Sequence, residues 1–279
     1  MEIAMINDEI LPIQTAKISA HDRGLFFGDG VYEVVISRQG RIFAWDRHLN
    51  RLRRSLHEMH MLQKVDLNLI ENRLRHAIEH ANIDDAVIYF HLTRGAQTRA
   101  HDWPDDWQPN FLLTLRQNTH RHPTQCRAIS HPDWRWKRCD IKSLNLLANV
   151  LAKHAATQAH AYEAILVDEK GLVTEGTATS VLIVRDGCLQ TAPLSANILP
   201  GITRALLLEH AHQLGLEPRE QSFSLAQALA APELLLTGTT AEVIAVTELN
   251  GQTIAAGQPG PYADRLRTLL QNLIVGYPA

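Results

Sequence analysis

Two short apolar segments flank Asn7-Asp8 near the start of the chain, so residues 2–11 read as a hairpin turning at that polar pair. Val31–Ile36 and Ile42–Trp45 are rich in β-branched and aromatic residues and predict two strands joined across Arg38-Gln39-Gly40. The spacing then changes. Leu49, Leu52, Leu56 and Met59 recur at helical intervals behind Asp46, which predicts a helix with Asp46 as its N-cap. A second helix is expected over about 66–80, and β-rich segments return at Ala86–Thr93 and Phe111–Leu115. Residues 116–123 (Arg-Gln-Asn-Thr-His-Arg-His-Pro) have no large apolar side chain and end in proline, the signature of a linker. Beyond it, the pattern predicts a helix from Ser143 to about Gln158, strands near Ala164–Val167 and Thr179–Val184, and a hairpin at Asp186-Gly187. A helix from Ile202 to Gly215 and strands near Leu234 and Val243 follow. The chain therefore reads as two mixed domains, a smaller α+β domain over 1–115 and a larger α/β domain over 124–279, joined by 116–123.

Composition narrows the function. The sequence is 45% hydrophobic and 20% charged over 279 residues, enough to bury two cores. A formal net charge of -3 with thinly spread cations gives no electrostatic footprint for nucleic acid or an anionic membrane surface. The N-terminus is acidic rather than signal-like, and no apolar run approaches the roughly 18 residues of a membrane helix. Three cysteines without paired spacing suit a reducing cytoplasm better than a disulfide framework.

Several segments could carry chemistry. Leu199-Pro200-Gly201-Ile202-Thr203-Arg204 leads into an apolar helix whose first N–H groups would favour an anion. Thr237-Gly238-Thr239-Thr240 follows the apolar run Leu234–Leu236 and offers hydroxyls and N–H groups on a strand-end loop. Arg51 could grip an oxyanion with its fork. Alone, each reads more simply as a helix cap, a turn and a polar helix residue. Glu175 sits among small residues in Val173–Thr179, where a flat ligand could approach, although a solvated turn carboxylate has the same look. Arg99 and His101, two positions apart in the stretch from Thr93 to Pro104, could hold a carboxylate or simply form an exposed basic loop. His76-Ala77-Ile78-Glu79-His80 matches an inverted zinc-protease pattern, yet 15 histidines make chance pairs common and Arg73 and Arg75 mark a solvated face. No metal is expected there. Only six lysines are present (Lys17, Lys64, Lys137, Lys142, Lys153 and Lys170), and composition does not choose among them.

Taken in order, the fragments become specific. His21-Asp22-Arg23-Gly24-Leu25-Phe26-Phe27-Gly28-Asp29-Gly30-Val31-Tyr32-Glu33 resembles the opening signature of the fold-type IV enzymes that depend on pyridoxal 5'-phosphate (PLP). That superfamily holds D-amino acid aminotransferases, branched-chain aminotransferases, (R)-amine transaminases and aminodeoxychorismate lyases. Cys139–Leu147 is similar to its cofactor-lysine segment, and Val173–Thr179, Leu199–Arg204 and Thr237–Glu242 resemble its later signatures in the same order.

The resemblance implies two α/β domains with the cofactor in their cleft, and Lys142 as the amine joined to the cofactor aldehyde and as proton carrier. It implies Glu175 at the pyridine nitrogen. Arg51, the backbone of Ile202 and Thr203, Gly238 and Thr239 would lie at the phosphate, and Glu33 near the lysine. It further implies a homodimer in which the Arg99–His101 loop completes the partner's site. Arg99 and His101, with Tyr32 as third donor, look like the carboxylate trap of the D-amino acid aminotransferases. The expected reaction is transamination of a D-amino acid with 2-oxoglutarate or pyruvate as acceptor; the other superfamily reactions are the alternatives. Two departures stand out: Gly238 where many D-amino acid enzymes carry Ser, and Ile36 where a charged residue is common.

Overall fold

A computed structural model describes residues 2–119 and 122–277. The chain divides into two compact units, the first comprising Met1–His120, Ile141–Asn145 and Tyr277–Ala279, the second Arg121–Asp140 and Leu146–Gly276.

The first unit is built on β1 (Ile3–Ile6), β2 (Glu9–Pro12), α1 (Arg23–Phe27), β3 (Gly30–Arg38), β4 (Arg41–Ile42), α2 (Trp45–Glu58), α3 (Leu67–Ala81), β5 (Ala86–Thr93) and β6 (Asn110–Gln117). The six strands form one antiparallel sheet in the order β2-β1-β6-β5-β3-β4. β1 and β2 make the expected hairpin, with Asn7 left-handed at φ 53°. On β3 the side chains alternate across the pleat, so Val31, Glu33 and Val35 are buried while Tyr32 and Val34 are half-buried. The helices pack their apolar stripes, Leu52 and Leu56 of α2 and Ile70, Leu74 and Ala77 of α3, into a core with Val31, Val35, Ile88, Phe90 and Leu113.

The second unit contains β7 (Gln125–Pro132), α4 (Leu147–Gln158), β8 (Glu163–Val167), β9 (Val173–Gly176), β10 (Ser180–Arg185), β11 (Cys188–Thr191), α5 (Ile202–Glu209), β12 (Glu217–Glu220), α6 (Leu225–Leu229), β13 (Glu233–Gly238), β14 (Glu242–Leu249), β15 (Gln252–Thr253) and α7 (Pro261–Gly276). Its mixed sheet runs β12-β11-β10-β13-β14-β7-β8-β9, with β15 on β14. The Asp186-Gly187 hairpin turns with both residues at positive φ.

Four expectations are corrected. Asp46 is not the N-cap of α2: Ala44 holds that place in a left-handed conformation, and Asp46 lies in the first turn, accepting from Tyr277 Oη at 2.9 Å. The segment 116–123 is not all linker, since Arg116 and Gln117 belong to β6 and pair with Val87 and Ala86; His120 and Arg121 lie outside the described residues. The helix expected from Ser143 begins at Leu147. Lys142–Leu144 instead runs beside β3: Ser143 bridges Val31, Tyr32 N donates to Lys142 O at 2.9 Å, and Leu144 N donates to Gly30 O at 3.0 Å. This ladder is why Ile141–Asn145 groups with the first unit. Finally, the helix from Ile202 ends at Glu209 and gives way to a 3₁₀ turn over Ala211–Leu214 that closes at left-handed Gly215.

Candidate active site

In the first unit, Lys142 Nζ lies 4.2 Å from the centroid of the Tyr32 ring, and its backbone N–H donates to Ser55 Oγ at 3.2 Å. Its amine makes no hydrogen bond or ion pair among the described residues. The other lysines are less suited to nucleophilic work. Lys64 and Lys153 donate to backbone carbonyls, of Trp107 and Tyr162 respectively, and Lys17, Lys137 and Lys170 are exposed.

Beside this segment is a buried ionic cluster. Arg51 Nε and Nη2 donate to the two oxygens of Glu33 at 2.8 Å each, and His48 Nδ1 meets Glu33 Oε2 at 2.8 Å. Burial alone would raise the Glu33 carboxyl, but the charge and hydrogen bonds of Arg51, with the bond from His48, hold it well below the usual range. Burial lowers His48, with Glu33 pulling the other way and Arg51 and Lys142 adding to the depression. Neutral His48 beside an ionised Glu33 must donate from Nδ1, which leaves Nε2 a buried acceptor with no partner among the described residues. The Arg51 fork expected on a phosphate is thus set bidentately on Glu33. Sequence reading missed His48, although His48 and Arg51 are i,i+3 on one helix face.

Arg99 and His101 are exposed and meet at one ring. The Arg99 guanidinium carbon lies 5.3 Å from the Phe27 centroid, and the His101 and Phe27 centroids are 5.5 Å apart. Tyr32 packs instead against Tyr89 at 5.7 Å. No contact among the described residues joins Tyr32 to Arg99 or His101, so one chain does not assemble the expected three-donor trap. Ile36 is buried in β3, where a charge would need a partner.

In the second unit, Glu175 is buried on β9, with Oε1 accepting from Arg135 Nη1 and Oε2 accepting from Leu199 N at 3.3 Å. Arg135 also donates to both oxygens of Asp133, at 2.8 and 2.7 Å. Burial pushes the Glu175 carboxyl above the usual range, although Arg135 and the Leu199 N–H oppose the rise. A desolvated carboxylate of this kind gains from a further cationic N–H donor, and two oxygens offer lone pairs for one. Arg135 is a second residue the sequence did not disclose.

The two expected anion segments come together at one end of this sheet. α5 starts at Ile202 with N-cap Gly201 and no side-chain cap, so Ile202 and Thr203 present N–H groups in its first turn. A Cβ at Gly201 would meet Ser180 Oγ at 2.6 Å, and Ser180 pairs with Thr237 at the end of β13. Gly238 and Thr239 follow directly, and the buried Thr237 Oγ1 has no partner among the described residues. A Cβ at Gly238 would meet nothing closer than 3.5 Å, from Ala178 O. Gly238→Ser is therefore expected to fold normally and, by adding a hydroxyl, to tighten uptake of a phosphate-bearing ligand about 2–5-fold. Titration of the ligand-free protein with PLP measures this; weaker uptake would show that the turn does not face the phosphate.

His76 and His80 lie with ring centroids 6.4 Å apart, and the described residues contain no group of three or more side chains able to hold a metal. The three cysteines are free. No helix among the described residues is long and apolar enough to cross a membrane.

The class IV aminotransferase family profile matches residues 30–249. The chain belongs to this family of enzymes. Its fold is that of the fold-type IV aminotransferases: the Escherichia coli branched-chain amino acid aminotransferase superposes with a TM-score of 0.90 at 23% identity, covering 99% of this chain and 96% of that one. A branched-chain aminotransferase from the thermophilic archaeon Thermoproteus uzoniensis, solved with norvaline, gives a TM-score of 0.87 at 23% identity over 98% and 95% of the two chains. Among characterised relatives, the Bacillus licheniformis D-alanine aminotransferase is 36% identical over 278 residues, 99% of this chain and 98% of the relative.

Proposed function

We propose that this chain is a PLP-dependent aminotransferase that moves the amino group of a D-amino acid to a 2-oxo acid such as 2-oxoglutarate or pyruvate, working as a cytoplasmic homodimer. The observation that carries the D-amino acid assignment is the 36% identity to a D-alanine aminotransferase along nearly the entire length of both chains. The likeness to branched-chain enzymes, at 23% identity, speaks for the fold.

The residues fit the cofactor. Lys142, whose amine has no hydrogen bond among the described residues, supplies the covalent attachment and afterwards carries the substrate's α-proton at Nζ. Glu175, raised by burial, receives the protonated pyridine nitrogen and keeps it charged. The uncapped first turn of α5 at Ile202 and Thr203, with Gly238 and Thr239, binds the phosphate, and Arg51, oriented by Glu33, adds its charge. When bound, PLP contributes an electron-accepting ring that stabilises negative charge at the substrate α-carbon. Arg99 and His101 grip the α-carboxylate from a loop lent to the partner subunit, with Tyr32 as the third donor. That anchoring turns the α-hydrogen of a D-amino acid toward Lys142.

The test is a single-turnover donor panel on the PLP-loaded protein. D-alanine and D-glutamate are expected to bleach its visible absorbance, and L-leucine and (R)-1-phenylethylamine to leave it largely unchanged; rapid bleaching by L-leucine alone would overturn the reading. Arg99→Ala is expected to weaken D-alanine binding by about 10–100-fold, the loss of a charge-assisted grip, with PLP uptake unchanged.

A further inference from the structure

The loop that carries Arg99 and His101 is exposed, yet its backbone is held from beneath by a buried cation. Arg23, on α1, is 3% exposed. Its Nη1 donates to Ala100 O at 2.7 Å and Asp102 O at 3.1 Å, and its Nη2 donates to His101 O at 3.0 Å. Three consecutive carbonyls converge on one guanidinium. Its Nε donates to Asp29 Oδ2 at 2.8 Å, and the same oxygen accepts from Arg94 Nε at 2.9 Å. Arg94, 1% exposed, donates Nη2 to Met59 O at 2.7 Å and lays its guanidinium 3.8 Å from the centroid of Trp103.

Two buried cations share one carboxylate, which leaves positive charge to be compensated by dipoles. The carbonyls of residues 100–102 supply that compensation. The loop cannot turn over without leaving Arg23 unsatisfied, so the ionic cluster and the loop conformation are coupled. The side chains lie against the same helix: the Phe27 ring lies 4.8 Å from the Arg23 guanidinium carbon and also receives Arg99 and His101. At the loop's start, Gly95 has φ +83°, and a Cβ there would come within 2.0 Å of Gln108 O, so this bend tolerates no side chain.

From this arrangement we infer that Arg23, oriented by Asp29, is the positioning residue of the carboxylate grip: it fixes the backbone of 100–102 so that Arg99 and His101 meet the substrate carboxylate in one geometry. The inference rests on the assignment of Arg99 and His101 as that grip. A surface loop free to sample other conformations would spend binding energy on ordering two long side chains; a loop already ordered does not.

The experiment compares PLP-loaded wild type, Arg23→Lys, Arg99→Ala and the double variant. Single-turnover bleaching by D-alanine gives the dissociation constant and limiting rate, competition by propionate gives affinity for a bare carboxylate, and hydrogen exchange reports the amides of 100–102. A lysine cannot hold three carbonyls and Asp29 at once. Arg23→Lys is expected to weaken D-alanine and propionate about tenfold or more, to speed exchange of those amides, and to leave PLP uptake within about twofold. In the Arg99→Ala background the same change is expected to cost less than about twofold, because the charged fork that carries most of the grip is already gone. Asp29→Asn, which keeps Arg23 but removes the charge orienting it, should show the same pattern more weakly.

An undiminished Arg23→Lys penalty in the double variant overturns the inference while leaving the grip intact. PLP uptake falling in step with D-alanine affinity overturns it too, since the cluster would then support the fold at large. If Arg99→Ala itself leaves D-alanine and propionate affinity unchanged, the grip assignment fails, and the inference falls with it.

Discussion

Lys142→Ala is expected to abolish amino-group transfer, by about 10⁴-fold or more, because covalent attachment and proton transfer are lost with a single amine. Cofactor affinity should survive in large part, since Ile202, Thr203, Gly238, Thr239 and Glu175 all remain. The measurement has two parts. Single-turnover bleaching with D-alanine should vanish in the variant while PLP still binds noncovalently. Borohydride reduction of the loaded wild type should leave the cofactor mass on the peptide that contains Lys142. Mass found on Lys64 or Lys153 would remove the basis of the assignment. Their amines are engaged with the carbonyls of Trp107 and Tyr162, and labelling there would require those contacts to open first.

Glu33→Gln should have the largest effect on stability. Glu33 is fully buried between Arg51 and His48, and neutralising it removes the carboxylate charge that both of them face in the protein interior. The expected loss is about 3–5 kcal/mol, the usual penalty for removing one partner of a buried ion pair. Urea unfolding at pH 7 measures it, and a loss below about 1 kcal/mol would mean that water or a shifted side chain rescues Arg51. The sign of the pH dependence follows from the same cluster. Glu33 titrates below its ordinary value of 4.5 in the folded chain, so the stability it contributes is complete above that value and is lost as the pH falls through the depressed folded value. His48 is lowered from 6.5; an unfolded chain takes up its proton first, which weakens the wild type progressively below about 6.5. The gap between wild type and Glu33→Gln should therefore narrow on acidification below pH 4.5. PLP uptake should weaken in the same variant, because Glu33 sets the orientation of Arg51.

The elements that sequence pattern makes legible are those governed by neighbours along the chain. Asp186-Gly187 predicts a tight hairpin because both residues accept positive φ, and the apolar stripes of α2 and α3 repeat at the helical period. Asp46 misleads because an acidic residue in a first helical turn looks like a cap, whereas left-handed Ala44 sets the start of α2. The pattern puts the start of α4 four residues early because Ser143–Leu146 continues an apolar, helix-compatible run. Residues 142–144 are held instead by backbone contacts to β3, more than a hundred residues away in sequence. The ionic constellations are hidden for the same reason. Asp29 and Arg94 are separated by 65 positions and Arg135 and Glu175 by 40, spacings that no local periodicity encodes. Lys142 and the turns at Ile202 and Gly238 can be singled out in the sequence because their motifs are local strings. The residues that orient them are legible only in three dimensions.

The lysine-bearing residues 141–145 complete the first unit by pairing with Gly30, Val31 and Tyr32, yet they are synthesised only after the opening strand of the other unit. As the chain leaves the ribosome, the Gly30–Tyr32 end of β3 must wait unpaired on the side away from β5 until that stretch arrives. Folding of this unit is thus tied to a distant contact, a topology that slows the search for the native state. The Lys142 amine arrives with the last strand-like piece of the unit, so completing that sheet and placing this side chain are a single event.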